Sequence, residues 1–214
     1  MDQAPARKAT RRLGARERAR LQWISVLVIC VLLWFVVLLP WIGSLRENRY
    51  FQTCQTNLQK IATGLKLYGE DWDTTLPPGP VWTTGALGNM GATSNTGFDV
   101  MKYLKCPKDD STSETSYLYN DLLSGINPSL RYPKDPEKDA RRKRVRNVSA
   151  FPLVIEKYGS QLNGHKALEN WDDVAREMSF EHRVPDPTGI LITGSGNVVR
   201  RTRAQIQELA GKKF

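Results

Sequence analysis

The segment CQTNLQKIATGLKLYGEDWDTTLPP, residues 54–78, decides the fold of this chain. Its large apolar side chains recur at alternating intervals of three and four residues, which places them on one face of a helix. Because Pro77 and Pro78 cannot continue a helix, we predict that it ends near Trp72 or Asp73. We call the apolar face the packing seam, and it consists of Phe51, Cys54, Leu58, Ile61, Leu65, Tyr68 and Trp72.

An apolar run, WISVLVICVLLWFVVLLPWIG, occupies residues 23–43, just before the packing seam. Its 21 residues carry no formal charge, and as a helix they would extend about 31 Å, close to the ~30 Å hydrocarbon thickness of a bilayer. A buried core helix is the alternative, but only Ser25 and Gly43 interrupt the apolar surface here. We therefore predict a transmembrane helix that continues into the packing seam and is kinked at Pro40.

The charges beside the apolar run indicate its orientation. Residues 1–20 contain seven Lys or Arg and two acidic residues, a net charge of +5, and such a tail tends to stay in the cytoplasm. A cleaved signal peptide is the alternative, but the run is long for a signal core and bulky residues follow it. We predict a basic cytoplasmic tail (1–22), a single inner-membrane helix (23–43) and a periplasmic, extracytoplasmic domain (44–214).

The net charge of +9 for the 214 residues has two local sources. The tail contributes +5, and seven basic and three acidic residues in positions 134–146 contribute +4. Since the excess is so confined, we expect no nucleic-acid partner, and the tail is predicted to contact anionic lipid. We predict that the second basic segment, residues 134–146, is a solvated loop, and a contact with lipid or an envelope polymer is the alternative. We call its centre the basic run, which consists of Arg141, Arg142, Lys143 and Arg144.

The second half of the chain has the patterns of strands. Residues 151–156 form a short apolar run, and GILIT (189–193) and VVRRT (198–202) flank a glycine-bearing turn, which predicts a hairpin. Residues 168–178 have helical spacing, whereas the Gly-, Thr- and Asn-rich stretch up to residue 98 predicts a long loop. The fold class is α+β, a long helix packed on a small antiparallel sheet.

Two cysteines, Cys54 and Cys106, lie in the predicted extracytoplasmic domain. An oxidising environment permits a disulfide between them, closing a loop of about 53 residues and worth roughly 4 kcal/mol. Two buried free thiols are the alternative. Cys30 lies in the apolar run, and no C-x-x-C or Cys/His spacing predicts a zinc site.

Several short motifs occur in a specific order along the chain. They are LLP (38–40), CQTNLQKI with its LPP ending (54–78), YLKCPKDD (103–110), SYLYN (116–120), FPLVIEK (151–157) and EHRVPDPTGILITGSGNVV (181–199). In these motifs the chain resembles the type IV pilins and the type II secretion pseudopilins. The family's processing signal is degenerate here, because Gly14 is followed by Ala15 and Arg16 and the apolar run contains no acid.

The resemblance implies a pilin-like fold and a structural or assembly role in the bacterial envelope, in a type II secretion or type IV pilus-like system. In that family the first half of the helix mediates assembly, which implies a homo- or hetero-oligomer, while the second half packs on its own sheet. Some pseudopilins bind calcium, which makes Asp71 and Asp73 a candidate calcium site, with solvated carboxylates as the alternative. No other cofactor is expected.

Enzymatic activity is not expected. Ser195, His182 and Glu156 nominally supply a nucleophile, a base and an orienting acid, but TGSGN is not a nucleophile elbow, so a membrane-tethered hydrolase has little support. A different alternative is a monomeric anchored domain that binds a ligand or an envelope polymer through the long loop and the basic run.

Overall fold

The structure, a computed structural model, describes residues 15–92, 100–127, 136–145, 147–183 and 186–210. The described part is α+β, and the chain divides into two compact units, Met1–Leu45 and Arg46–Phe214. Its helices are α1 (Ala15–Asp71), α2 (Trp82–Ala92), α3 (Pro136–Arg144), α4 (Trp171–Glu177) and α5 (Arg203–Glu208). Its strands are β1 (Thr115–Asn120), β2 (Pro152–Ser160), β3 (His165–Lys166), β4 (His182–Arg183), β5 (Pro187–Thr193) and β6 (Val198–Thr202). Short 3-10 turns occupy Gly79–Val81, Val100–Leu104, Asp121–Leu123 and Val148–Ala150.

Helix α1 is 57 residues long and is continuous through Pro40. It therefore contains the predicted transmembrane run and all of the packing seam except Trp72, and it ends at Asp71, next to the predicted end. Asp73 and Thr74 adopt left-handed backbone angles (φ 52° and 56°), and the Thr74 amide donates to the Gly69 carbonyl at 2.6 Å. This left-handed turn stops the helix before the prolines are reached.

The strands of the second unit form one sheet in the order β3-β1-β2-β5-β4, with β6 paired to β5. All pairings are antiparallel except the short parallel contact of β1 with β3, so the sheet is mixed rather than wholly antiparallel. The predicted hairpin is confirmed as β5 and β6, and its turn contains Gly196 at φ +80°. The predicted run at 151–156 lies, except for Phe151, in the central strand β2.

The core of the second unit lies between the packing seam and this sheet. Leu58 and Ile61 are fully buried, and Leu65 is 5% exposed. They belong to the same cluster as the sheet residues Tyr117, Tyr119, Val154, Ile155 and Leu191. The middle of the packing seam is thus covered by the protein's own domain.

The two ends of the packing seam are less buried than its middle. Phe51 is half-buried and packs against the core. Trp72 is 60% exposed, because it lies after the last residue of α1, where helical periodicity no longer sets its direction. Its ring stacks on half-buried Tyr68, with centroids 5.8 Å apart.

The predicted long loop before residue 98 is wrong, because it contains α2. Trp82 anchors this helix: it is fully buried, stacks on Tyr119 at 5.6 Å and donates from Nε1 to the Gly164 carbonyl at 3.2 Å. A Cβ on Gly85 would lie 2.9 Å from the Pro77 side chain, so glycine at this position allows the α2 backbone to lie close to Pro77. Tertiary packing has outweighed the low helix propensity of glycine and threonine. Residues 93–99 of that loop lie outside the described residues.

The predicted loop conformation of the basic segment is also wrong, because residues 136–144 form the helix α3. Pro136 occupies its first position, where a missing amide proton costs nothing, and Glu137 and Asp139 lie in the first turn with the basic run behind them. The charges therefore match the helix dipole.

The predicted helix within 168–178 is confirmed as α4, which the Asn170 side chain caps by accepting from the Asp173 amide at 3.0 Å.

Candidate functional site

The first unit carries a helical stretch that could cross a membrane. The candidate span starts at Gln22, and none of its most apolar window is buried. Trp34 and Leu39, for example, expose about two thirds of their surface. The Ser25 hydroxyl donates to the Gln22 carbonyl at 2.8 Å, so this polar group is satisfied within the helix, as a lipid environment requires. By length and composition, this segment is a candidate single-pass membrane anchor.

A group of residues that we call the buried polar cluster lies at the packing seam in the second unit, and it comprises the buried residues Cys54, Cys106, Glu156 and His182 with half-buried Tyr158. Cys54 and Cys106 form the predicted disulfide, with Cα atoms 5.1 Å apart. His182 Nε2 lies 3.0 Å from Glu156 Oε1, 3.7 Å from Cys106 Sγ and 3.5 Å from the Tyr158 hydroxyl. The Tyr158 hydroxyl lies 3.4 Å from Cys106 Sγ, and since a disulfide sulfur has no proton, the hydroxyl is the donor.

Burial controls the ionisation of this cluster. Burial raises the pKa of the Glu156 carboxyl, and the hydrogen bond and charge of His182 oppose that effect. Burial, followed by the charge of Glu156, raises the pKa of Tyr158, which keeps its hydroxyl a donor. Oε2 of Glu156 and Nδ1 of His182 have no hydrogen-bond partner within the part of the chain that the structure describes. Such buried, unpaired polar atoms need a physical explanation.

Four separate elements position the buried polar cluster. Cys54 comes from α1, Cys106 from the turn after Leu104, Glu156 from β2 and His182 from β4. The Phe51 ring packs edge-on against the His182 imidazole, with centroids 5.5 Å apart. Sequence spacing could not reveal this site because its members are scattered over 128 residues. The signal present in the sequence was Glu156, an acid that directly follows the apolar residues 151–155.

A second polar network, around Asp109, holds the Cys106 segment in place. The Cys106 amide donates to Ser116 Oγ at 2.9 Å, and the Ser116 hydroxyl donates to Asp109 Oδ2 at 2.7 Å. Lys105 Nζ lies 3.1 Å from the same carboxylate. Burial opposes ionisation of Asp109, but hydrogen bonds from Ser111, Ser116 and Lys105 outweigh it and lower its pKa to about 2.

The other predicted site residues lie elsewhere. The Ser195 hydroxyl, in the β5–β6 turn, contacts Thr193 at 2.8 Å and the Ser149 carbonyl at 3.3 Å, so the nominal triad is not assembled, although His182 and Glu156 do meet. Asp71 and Asp73 are exposed. Among the described residues they are not part of any group of three or more potential ligating side chains, so the calcium site stays a prediction.

The basic run on α3 is engaged in pairs within the domain. Lys143 lies 2.6 Å from Asp139, Arg144 lies 2.6 Å from Glu169, and Arg141 lies 3.8 Å from Glu137. Arg142 donates to the Val145 carbonyl at 2.7 Å. The basic run therefore has local partners for its charges, as an ordinary solvated helix does.

A groove of about 680 Å³ lies between α1 and the β5–β6 hairpin. Gln59, Thr63 and Lys66 line it on the helix side, and Ile192 and Asn197 line it on the hairpin side.

A comparison of the chain with protein-family models, curated proteins and solved structures finds no match.

Proposed function

We propose that the protein is a membrane-anchored, pilin-like structural or assembly protein of the bacterial envelope, whose N-terminal helix associates with other membrane helices. The observation that carries this proposal is the difference in burial between the two halves of α1. Its first half presents large apolar side chains that are exposed in the part of the chain that the structure describes, whereas its second half contributes to the core of a disulfide-linked α+β domain. The ordered pilin-like motifs support the same assignment.

The physical basis of the proposal is the apolar surface of residues 23–43. A continuous apolar helix surface of this length is unstable in water and is stable in lipid. In lipid, helix association depends on side-chain packing rather than on the hydrophobic effect. The large side chains here, such as Leu32, Trp34 and Phe35, offer area for such packing. The same helix would then tether the second unit to the membrane.

Cysteine cross-linking in native membranes tests this association. Cys30 is first changed to Ser, and single cysteines are then introduced at each of the seven positions 26–32. If the helices pack together, oxidant-induced cross-links should recur at spacings of three to four positions. The mass of the product distinguishes self-association from a different partner, and a variant with a cysteine in the exposed domain position Gln59 controls for random collision.

A monomeric anchored domain that binds a ligand is the second candidate, and the groove between α1 and the β5–β6 hairpin favours it. The groove offers amide, hydroxyl and ammonium groups beside an apolar floor that includes Leu153 and Ile192. This candidate predicts no cross-link at any of the seven helix positions. That result would replace assembly by ligand binding as the proposed role.

A further inference from the structure

The buried polar cluster contains a complete set of zinc ligands. The ligating atoms of Cys54, Cys106, Glu156 and His182 all lie within 4.8 Å of one another, and all four residues are buried. Two thiolates, an imidazole and a carboxylate form a donor set that suits Zn²⁺. While Cys54 and Cys106 form a disulfide, their sulfurs cannot act as thiolate ligands. The redox state of this pair therefore decides whether the ligand set is available.

We propose that reduction of the Cys54–Cys106 disulfide converts the buried polar cluster into a tetrahedral Zn²⁺ site formed by Cys54, Cys106, His182 and Glu156. A dithiol reductant passes two electrons and two protons to the S–S bond, which breaks to give two thiols, and the reductant itself becomes a disulfide. Zinc then binds both sulfurs, and the two thiol protons go to solvent. The imidazole binds through Nε2 and carries its proton on Nδ1.

Two of the distances within the buried polar cluster are already close to those of a tetrahedral zinc site. Zinc lies about 2.3 Å from sulfur and about 2.0–2.1 Å from nitrogen or oxygen, so tetrahedral neighbours lie roughly 3.6 Å apart for sulfur and nitrogen and roughly 3.4 Å apart for nitrogen and oxygen. Here Cys106 Sγ and His182 Nε2 are 3.7 Å apart, and His182 Nε2 and Glu156 Oε1 are 3.0 Å apart. These two distances already approach the required values, and the two sulfurs would move apart once reduction breaks the bond between them.

The surroundings of the cluster complete the site. Tyr158 donates to Cys106 Sγ, and the same hydrogen bond would stabilise a zinc-bound thiolate, since outer partners tune metal ligands. The Phe51 ring packs edge-on against the His182 imidazole and restricts its orientation. Coordination would also compensate the buried Glu156 carboxylate, whose Oε2 lacks a partner among the described residues.

The two states of the site would maintain the same link in the fold. The disulfide ties α1 to the segment before β1, and zinc would tie α1 and that segment to β2 and β4 as well. Under reducing conditions, the chain would therefore keep a cross-link in its core. This inference does not depend on the proposed function of the membrane helix.

Metal titration of the full-length chain in non-ionic detergent tests the inference. The Cys30→Ser variant is used, so that Cys54 and Cys106 are the remaining cysteines. One sample is oxidised, and the other is reduced with a dithiol that is removed by anaerobic gel filtration. Zinc affinity is measured against a chromophoric chelator, and Co²⁺ serves as the spectroscopic probe. The reduced chain should bind one Zn²⁺ at least about 100-fold more tightly than the oxidised chain, and its Co²⁺ form should show tetrahedral and thiolate charge-transfer bands.

Matched histidine variants locate the site. His182→Gln should weaken zinc binding by at least about 10-fold, whereas His165→Gln, which changes an exposed imidazole, should leave the affinity unchanged. Zinc-edge X-ray absorption of the parent chain needs no variant to fold, and it should report two sulfur and two lighter ligands. Equal affinities of the oxidised and reduced chains, equal effects of the two histidine variants, or fewer than two sulfur ligands would each overturn the inference.

Discussion

Asp109 is a buried carboxylate that stabilises the fold only while it is ionised. Its side chain is 1% exposed, and hydroxyl and ammonium donors surround it. In the unfolded chain the carboxyl returns to a pKa near 3.8, whereas the folded value is about 2. Since the folded pKa is lowered, the stabilisation is fully present above pH 4 and is lost as the pH falls from about 4 to about 2.

We therefore expect Asp109→Asn to lower the free energy of unfolding by about 2 kcal/mol at pH 7, since one pKa unit corresponds to about 1.4 kcal/mol. The difference from the parent should shrink as the pH falls towards 2. Urea denaturation of the full chain in detergent, followed by near-UV circular dichroism, measures it. Asp110→Asn, at an exposed neighbour, is the control and should change stability by less than about 0.5 kcal/mol. A difference that is constant with pH would show that ionisation of Asp109 is not the stabilising event.

Glu156 behaves in the opposite way, because burial raises its folded pKa above the ordinary value of 4.5. An acid with a raised folded pKa lowers the stability of the fold as the pH rises above its unfolded pKa. We expect Glu156→Gln to stabilise the oxidised chain more at pH 7 than at pH 4. Paired urea denaturation curves at these two values check this, and a larger gain at pH 4 would contradict it.

Among the elements, α1 was the most predictable from the sequence. The apolar residues of its packing seam recur every three or four positions, and Leu58, Ile61 and Leu65 are buried as this spacing predicts. Helices α2 and α3 were not predictable from local patterns. Trp82 stabilises α2 through Tyr119 and Gly164, which lie 37 and 82 residues further along the chain. The buried polar cluster was missed for the same reason, since only the sheet register brings Glu156 near His182.

Burial of the packing seam predicts the cost of shortening one of its residues. Ile61 is fully buried, so Ile61→Ala removes buried methyl groups and leaves a cavity, and we expect a loss of about 2–5 kcal/mol in the free energy of unfolding. Gln59→Ala, on the exposed side of α1, is the matched control. Urea denaturation of both variants provides the measurement. A loss below ~0.5 kcal/mol for Ile61→Ala would assign the packing seam to a partner helix instead.

The disulfide links two elements that are 52 residues apart. In the chain-entropy model a loop of this length is worth roughly 4 kcal/mol. We expect the Cys54→Ser/Cys106→Ser double variant, made with Cys30→Ser, to lose a few kcal/mol relative to Cys30→Ser alone, measured without reductant or added metal. If the two chains have equal stability, the cross-link does not constrain the unfolded state.

At the scale of the whole molecule, the chain distributes its charge and its apolar surface unevenly. The net charge of +5 in residues 1–20 directly precedes an uncharged run of 21 residues. The folded domain, by contrast, pairs many of its charges internally, as Lys108 does with Glu47 at 2.6 Å and Lys157 does with Glu177. A basic flank of this kind is the feature that orients a membrane helix.

This asymmetry predicts that the N-terminus faces the cytoplasm and residues 44–214 face the other side. A reporter that is active only in the cytoplasm should work when fused before Met1 and fail when fused after Phe214, and a reporter that requires export should show the reverse. Changing Arg16, Arg18 and Arg20 to Glu would turn the tail charge from +5 to −1, and the positive-inside tendency then predicts a mixed or inverted topology. Changing three basic residues of α3 to Glu is the matched control, because long exported domains cross the membrane largely regardless of charge. Activity of the cytoplasmic reporter at the C-terminus of the parent chain would place the disulfide in a reducing compartment, and the envelope assignment would then fail together with the topology.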